Sequence, residues 1–315
     1  MIGKAAFGYS VIVVTYFFML LLVDSKKGFF EYLPTAMAEL PELIFFALVS
    51  FILRYGRWFY LLRLSGSHVP VWRGWLAYLS GFAFTATPGK VGELVRIRYF
   101  GRLQVKASGV MSAFVFERAL DLVVVLGLAS LWIADHQMLG LAAVFVCLVL
   151  LVVSMLVFRP AWTGALSAGF AARGWFRLAR LLHFMADAFA GCRVWFKPWP
   201  LLVSVLCGVC AWSVTAYSFV HLLNALRLDV PWLAAFSAYP LAMLAGAASM
   251  LPGGVGSTEA AIVVQLQWHD VPVAMALLAA VVVRLGTMWF SVLCGLVAVL
   301  VLEMQSNPKL SETAQ

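Results

Sequence analysis

Charge is what this sequence has least of. Only 11% of its 315 residues are Asp, Glu, Lys or Arg, and 64% are hydrophobic. A soluble domain carries about a quarter charged residues, so this chain cannot cover a water-facing surface, and lipid is its solvent. The short alternating segments of a membrane β-barrel are also missing. The sequence therefore predicts an all-α polytopic membrane protein. There is no GxxxxGK[ST] run, which excludes a P-loop nucleotide site, and no HExxH zinc helix. No soluble stretch approaches the roughly 50 to 250 residues of an independent catalytic domain, so any active site has to lie within the membrane.

Cysteine and histidine are sparse and scattered. Of the five cysteines, Cys147, Cys207, Cys210 and Cys294 fall in apolar runs and Cys192 in a basic segment. Cys207 and Cys210 have CxxC spacing but no βαβ context, so they read as small packing residues. His68, His136, His183, His221 and His269 show no metal-ligand spacing along the chain. Neither a metal, a cofactor nor a nucleic-acid partner is expected.

What the sequence does have is long apolar runs. Spans are expected near 5–23, 41–62, 107–133, 138–158, 199–222 and 273–302, each close to the roughly 20 residues that cross a bilayer. The first run lacks a small-x-small cleavage site and reads as a retained span. Two further apolar segments, 72–100 and 231–268, are interrupted by "TPGKVGELVR" and "LPGGVGSTEA".

Lys and Arg set the sidedness. Arg63 and Arg73, then Lys90, Arg96, Arg98, Arg102 and Lys106, then Arg159, Arg173, Arg177, Arg180, Arg193 and Lys197 mark three cytoplasmic regions, with the N-terminus on the same side. Segment 24–42 mixes Lys26 and Lys27 with Asp24, Glu31, Glu39 and Glu42 and is the better outside segment. Segment 72–100 then begins and ends in the cytoplasm, as a re-entrant hairpin. Segment 231–268 enters from outside if the C-terminal tail, with Lys309 against Glu303 and Glu312, is cytoplasmic.

The two interruptions match. Pro88, Gly89 and Gly92 correspond to Pro252, Gly253 and Gly256, with Gly254 beside them, and an arginine follows in the next span, Arg118 or Arg284. The expected architecture is about six full spans plus two broken-helix hairpins in one membrane domain. The first repeat covers 41–133 and the second 199–302, in opposite orientations, a transporter pattern whose site lies where the breaks meet. The basic segment 159–198 places Trp175, Leu178, Leu182 and Phe189 near one face; it reads either as an amphipathic helix on the cytoplasmic leaflet or as a solvated linker.

Irregular backbone at membrane depth lines a wet cavity or is buried in protein. The half-helix after each break offers free N–H groups to an anion. Glu93 and Glu259 sit in those first turns, either as caps or as site residues. Glu259 needs a partner at such depth, with Arg284 and Arg118 as candidates. Glu117 and Asp121 flank Arg118, and Asp121 lies at i+3 for a local pair. These charges read either as a structural ion-pair network or as a headgroup site. Arg96, nearest the first break, is the favoured phosphate contact over Arg98 and Arg102. Arg54 and Arg57 are expected to snorkel to the cytoplasmic surface.

"RWFYLLRLSG", "ATPGKVGELVRIRYF", "FERALDLVVVL", "LPGGVGSTEAAIVV" and "VVVRLGTMWFSVLCGL" occur in this order, and the ordered set resembles the flippase-like transmembrane domain of the lysylphosphatidylglycerol synthase family over nearly the whole chain. The resemblance implies movement of a lipid between leaflets of a bacterial cytoplasmic membrane. Two-part members carry a soluble aminoacyl transferase domain after this one. The sequence here stops at Gln315, so aminoacyl transfer is not expected. The family pattern maps onto Pro88, Gly89, Gly92, Glu93 and Arg96, and onto Pro252, Gly253, Gly256 and Glu259. Lys90 adds a positive charge in the first turn.

The expected function is a lipid translocase for a phosphate-bearing lipid or glycolipid. Its expected substrate-binding residues are Lys90, Glu93, Arg96, Glu117, Arg118, Asp121, Glu259 and Arg284, and none is expected to be catalytic. Its partners are anionic or phosphate-linked membrane lipids and, as one option, a lipid-synthesis enzyme. Two alternatives stay open: an intramembrane enzyme acting on a lipid phosphate through Glu259 or Glu117, and a non-catalytic partner of a cell-envelope lipid enzyme.

Overall fold

The structure is a computed structural model and describes residues 29–132, 136–158 and 160–306. The expected span 5–23 and the tail residues Lys309 and Glu312 lie outside the described residues. Those described form helices and connecting turns, with no strand among them. The chain is an all-α multi-pass membrane protein.

Helix α1 (Phe29–Ala38) runs into α2 (Leu40–Leu64), so the later part of the expected outer segment is helical. Proline near the start of α2 suits a first turn whose N–H groups have no partner anyway. The buried residues of α2 include Leu43, Ala47, Ser50, Trp58 and Leu61, a three-to-four-residue spacing that makes one face. Phe45, Leu48 and Ile52 on the other side stay exposed, as lipid-facing residues do. That stripe packs on α9 (Pro198–Ala225).

The first interrupted segment comprises α3 (Val71–Ser80), the 3-10 turns Gly81–Phe84 and Pro88–Val95, and α4 (Arg96–Arg102). Thr87 is extended, at φ −119° and ψ 152°, as a residue before proline must be. Two residues after the proline, Lys90 takes a positive φ of 56°. Helix α5 (Ala107–Ala129) follows, then α6 (His136–Phe158).

The second interrupted segment comprises α10 (Trp232–Ala248), a short 3-10 turn Pro252–Gly254, and α11 (Ser257–Gln267). Its turn is built from positive φ values at Met250, Gly253, Gly254 and Gly256. Glycine adopts these without the Cβ penalty. In both breaks the residue two after the proline, Lys90 or Gly254, is left-handed. The last helix is continuous in direction but not in winding. Helix α12 (Val273–Arg284) passes through a π turn, Leu285–Trp289, into α13 (Phe290–Ser306).

Four helical stretches are long and apolar enough to cross a membrane: Tyr32–Leu64, Leu139–Phe158, Pro198–Ala225 and Val273–Ser306. The expected span 107–133 appears as the 23-residue α5, about 35 Å long. It is long enough but carries Glu117 and Asp121, both buried, and the partly exposed Arg118 at mid-height. The five expected spans that fall within the described residues are thus all present as helices, one of them carrying charge. Leu141, Val144, Leu148 and Leu151 on α6 and Leu293, Val297 and Leu300 on α13 are exposed, an apolar belt that a water-soluble protein of this size does not carry.

Each interrupted segment returns to the end of the bundle it started from. The mouth of the second is closed by Val230, Ala234, Trp268 and His269 beside Trp132, just past the C-terminal end of α5. The first ends in α4, which leads directly into the N-terminal end of α5. The two hairpins thus open at opposite ends of α5. Glu303 of α13 pairs with Arg98 at 3.0 Å, so α13 ends on the side of α4. The apolar core is split accordingly, one cluster around α9–α12 and another around α2–α5 and α8.

The central segment folds as α7 (Pro160–Ala172) and α8 (Phe176–Cys192). Its amphipathic face is not laid only against headgroups. Phe189 and Cys192 are buried, and Ser112 on α5 donates to the Ala188 carbonyl at 2.7 Å. Trp175, at the other end, is exposed.

Candidate functional site

Between the two core clusters lies a polar layer built by α2, α5 and the first break. Its hub is Glu117, fully buried on α5. Arg57 of α2 reaches Oε1 at 2.8 Å, Arg118 reaches Oε2 at 3.0 Å, and the Trp58 indole N–H donates to Oε2 at 2.9 Å. Asp121, one turn on, receives Arg54 and Arg57 at 2.9 Å each and Arg118 at 3.5 Å. The i+3 pair expected from the sequence is therefore present, inside a larger network.

Arg54 and Arg57 do not snorkel. Arg57 has no exposed surface, and Arg54 lies 4.5 Å from the Trp212 ring centroid while paired to Asp121. The reason is the α2 stripe: Ser50, Arg54, Arg57 and Trp58 sit on the face that packs inward, where two carboxylates offset the desolvation of two guanidinium groups.

Arg96 is also inside. It pairs with Glu93 at 3.1 Å, donates to the Tyr78 carbonyl at 2.8 Å, and lies 4.2 Å from the Tyr78 ring. Gly81 makes room for it, since a Cβ there would overlap the guanidinium. Arg96 is thus sequestered under aromatic rings and not at headgroup depth. Glu93 accepts from Thr85 Oγ1 at 2.7 Å as well. Arg98 and Arg102 stay near the surface and share Glu303, at 3.0 and 3.2 Å.

In the second break Glu259 does two jobs. One oxygen accepts from the Gly256 backbone N–H at 2.7 Å, capping α11, and the other pairs with Arg284 at 3.0 Å. Arg284 also donates to the Gly253 carbonyl, so the arginine staples the break to the π turn that follows it. π turns recur at functional sites. Of its two expected partners Glu259 has Arg284; Arg118 belongs to Glu117 and Asp121.

Two adjoining cavities occupy the space where the breaks meet. The inner one, about 110 Å³, is lined by Arg54, Lys90, Glu93, Arg118 and Arg284 with Tyr239 and Thr287. The outer one, about 230 Å³, carries Lys90, Arg118 and Asp121 on one wall and Leu122, Val125, Phe145 and Val149 on another. Lys90, Arg118, Trp212, Met243 and Gly253 line both. Either space holds several waters by volume. Of the expected site residues, Lys90, Glu93, Arg118, Asp121 and Arg284 face a cavity, whereas Arg96, Glu117 and Glu259 stand behind them.

Three participants were not expected. Arg54 lines the inner cavity; the inward stripe of α2 was the signal for it. The Trp212 indole N–H and the Thr258 hydroxyl are buried without a hydrogen-bond partner at the cavity walls, and nothing in their sequence context marks them. Away from this layer, packing brings His221 to 3.0 Å from Glu39, with Glu42 alongside. No chain spacing shows that juxtaposition, and a simple hydrogen bond accounts for the His221–Glu39 pair.

Compared with known families, residues 6–295 match the model of the lysylphosphatidylglycerol synthase TM region. No curated protein and no solved structure matches. The match spans most of the chain, which therefore belongs to this family of membrane domains.

Proposed function

We propose that this member of the lysylphosphatidylglycerol synthase transmembrane family moves a phosphate-bearing lipid between the leaflets of a bacterial cytoplasmic membrane. The observation that carries the reading is the cavity between the two helix breaks, walled by Arg54, Lys90, Arg118 and Arg284. A concave site with several cations and an apolar chamber beside it suits a phosphate headgroup with its hydrocarbon chain left outside. Arg118, Lys90 and Arg284 contact the headgroup; Glu117, Arg96 and Glu259 hold them in place.

The two hairpins act as inverted repeats, 41–133 and 199–302, that rock against each other so the cavity faces each side in turn. Their opening at opposite ends of α5 supports this. The arginine-rich end, with α4 and the end of α13, faces the cytoplasm by the positive-inside rule. Segment 159–198 lies on that side. Movement runs down a lipid gradient or is coupled to an ion or proton.

The transferase alternative has less support, because the acids it needs, Glu117 and Glu259, are both engaged by arginine. The test is reconstitution in proteoliposomes of native lipid, following headgroup accessibility of labelled anionic lipids across leaflets. Arg118→Ala is expected to slow movement by about tenfold or more, the loss that one charge-assisted contact supplies. Equal rates for variant and wild type would remove Arg118 from the site, and no movement of any native lipid would sink the translocase reading.

A further inference from the structure

We infer that the headgroup held in this cavity carries at least two negative charges on phosphate, as a phosphomonoester or a diphosphate does. An aminoacylated, positively charged headgroup does not fit. The inference rests on reading the cavity as a lipid site and adds to it a selection by charge.

The charge balance of the polar layer carries the argument. Four arginines, Arg54, Arg57, Arg96 and Arg118, are joined to three carboxylates, Glu93, Glu117 and Asp121. That leaves one positive charge. Lys90 faces both cavities and pairs with no carboxylate among the described residues, which makes two. Arg284 adds nothing, because Glu259 balances it. Excess charge at membrane depth is costly unless it is matched.

The wall shared by the cavities has donors to spare. Arg118 Nε and Trp212 Nε1 are both buried without a partner, and both belong to residues lining the two cavities. Phosphate oxygens accept from such groups. The carboxylates that reach the cavities are already taken, Glu93 by Thr85 and Arg96, Asp121 by Arg54, Arg57 and Arg118. An ammonium on the headgroup would add to the excess and find the cavity carboxylates already facing arginines. A singly charged phosphodiester would leave one cation unmatched. A headgroup of charge −2 neutralises the layer, and its chain has the outer chamber of Leu122, Val125 and Phe145 beside it.

The experiment measures binding to the purified full chain in detergent at about pH 7, where a phosphomonoester has largely lost its second proton. The probes are farnesyl phosphate, farnesyl diphosphate, phosphatidylglycerol, lysylated phosphatidylglycerol and inorganic diphosphate, with native mass spectrometry as the readout. The two farnesyl probes are expected to bind about tenfold or more tighter than phosphatidylglycerol, and the lysylated lipid weakest. Lys90→Met is expected to remove most of that preference, weakening the farnesyl probes far more than phosphatidylglycerol. Lys90→Arg, which keeps the charge, is expected to keep the preference.

Phosphatidylglycerol or its lysylated form binding as tightly as the farnesyl probes would overturn the inference, as would no binding by any probe. Inorganic diphosphate binding as tightly as farnesyl diphosphate would overturn its lipid part in favour of a free-anion site. The same lipids in proteoliposomes separate this inference from the translocase reading. Tight, charge-ranked binding without leaflet movement sinks the translocase alone. Movement of singly charged lipids at the rate of doubly charged ones sinks the charge selection alone.

Discussion

Arg57 Nη2 lies 2.8 Å from Glu117 Oε1, and neither side chain has any exposed surface. The pair joins α2 to α5 in the middle of the polar layer. Glu117 also meets Arg118 at 3.0 Å and Arg96 at 3.8 Å, so one carboxylate steadies three guanidinium groups. Removing one partner of a buried pair costs about 3 to 5 kcal/mol, because the other charge is left behind. Glu117→Gln is therefore expected to lose stability on that scale, read as a fall in the unfolding midpoint in detergent. Arg98→Ala, which removes a largely exposed partner of Glu303, serves as the control and is expected to change the midpoint little. Equal shifts for the two variants would contradict the hub role of Glu117.

Glu259 fixes the second break locally. Its carboxylate caps the Gly256 amide and holds Arg284, so Glu259→Ala opens both contacts together. Hydrogen exchange of the amides from 253 to 258 is expected to rise by at least about tenfold, from loss of roughly 1.5 to 3 kcal/mol of charge-assisted bonding. Amides from 89 to 95, in the first break, are expected to be unchanged. A rise in both segments would mean that the breaks do not open independently.

The contact between α4 and α13 is of a different kind. Glu303 receives Arg98 and Arg102 near the surface and accepts from the Tyr99 hydroxyl at 2.9 Å. Exposed pairs are weak and screened by salt. A double-mutant cycle between Arg98→Ala and Glu303→Gln is expected to give a coupling below about 1 kcal/mol that falls as salt rises. A coupling that persists in high salt would contradict the exposed character of this pair.

The placement of the hairpins at opposite ends of α5 predicts labelling from opposite sides. In a variant lacking the five native cysteines, Arg98→Cys and His269→Cys report on the two ends. A membrane-impermeant maleimide added to intact cells is expected to modify the cysteine at 269, and the one at 98 only after the membrane is opened. Modification of both from outside would overturn the opposed arrangement.

Much of this was legible in the sequence, and the parts that were not have a common cause. Length and apolarity mark α2, α6, α9 and α12–α13, because a bilayer demands both. The two breaks were legible because proline and clustered glycine have few other uses inside an apolar run. The Arg118–Asp121 pair was legible because a helix fixes i+3 neighbours. What a single chain could not reveal was which partner a charge meets on another helix. Arg54 and Arg57 looked like surface anchors, being near a span end, yet the carboxylates they need are 60 to 67 residues away on α5. Arg96 looked free to grip a ligand because the sequence does not show Tyr78 and Trp58 covering it. The π turn after Arg284 has no signature in "VVRLGT" and depends on what α12 and α13 must each reach.

That turn has a mechanical consequence. Before it, Arg284 grips the second hairpin through Glu259 and the Gly253 carbonyl. After it, Gly295 lies so close to the backbone of Phe82 and Ala83 in the first hairpin that a Cβ has no room. One helical rod therefore bears on both halves of the molecule, and the extra residue of the π turn sets the angular phase between its two bearings. Wound as regular α-helix, the same stretch would instead turn Gly295 by about 100° relative to Arg284. The rod works as a crankshaft, with the timing between the hairpins cut into its winding.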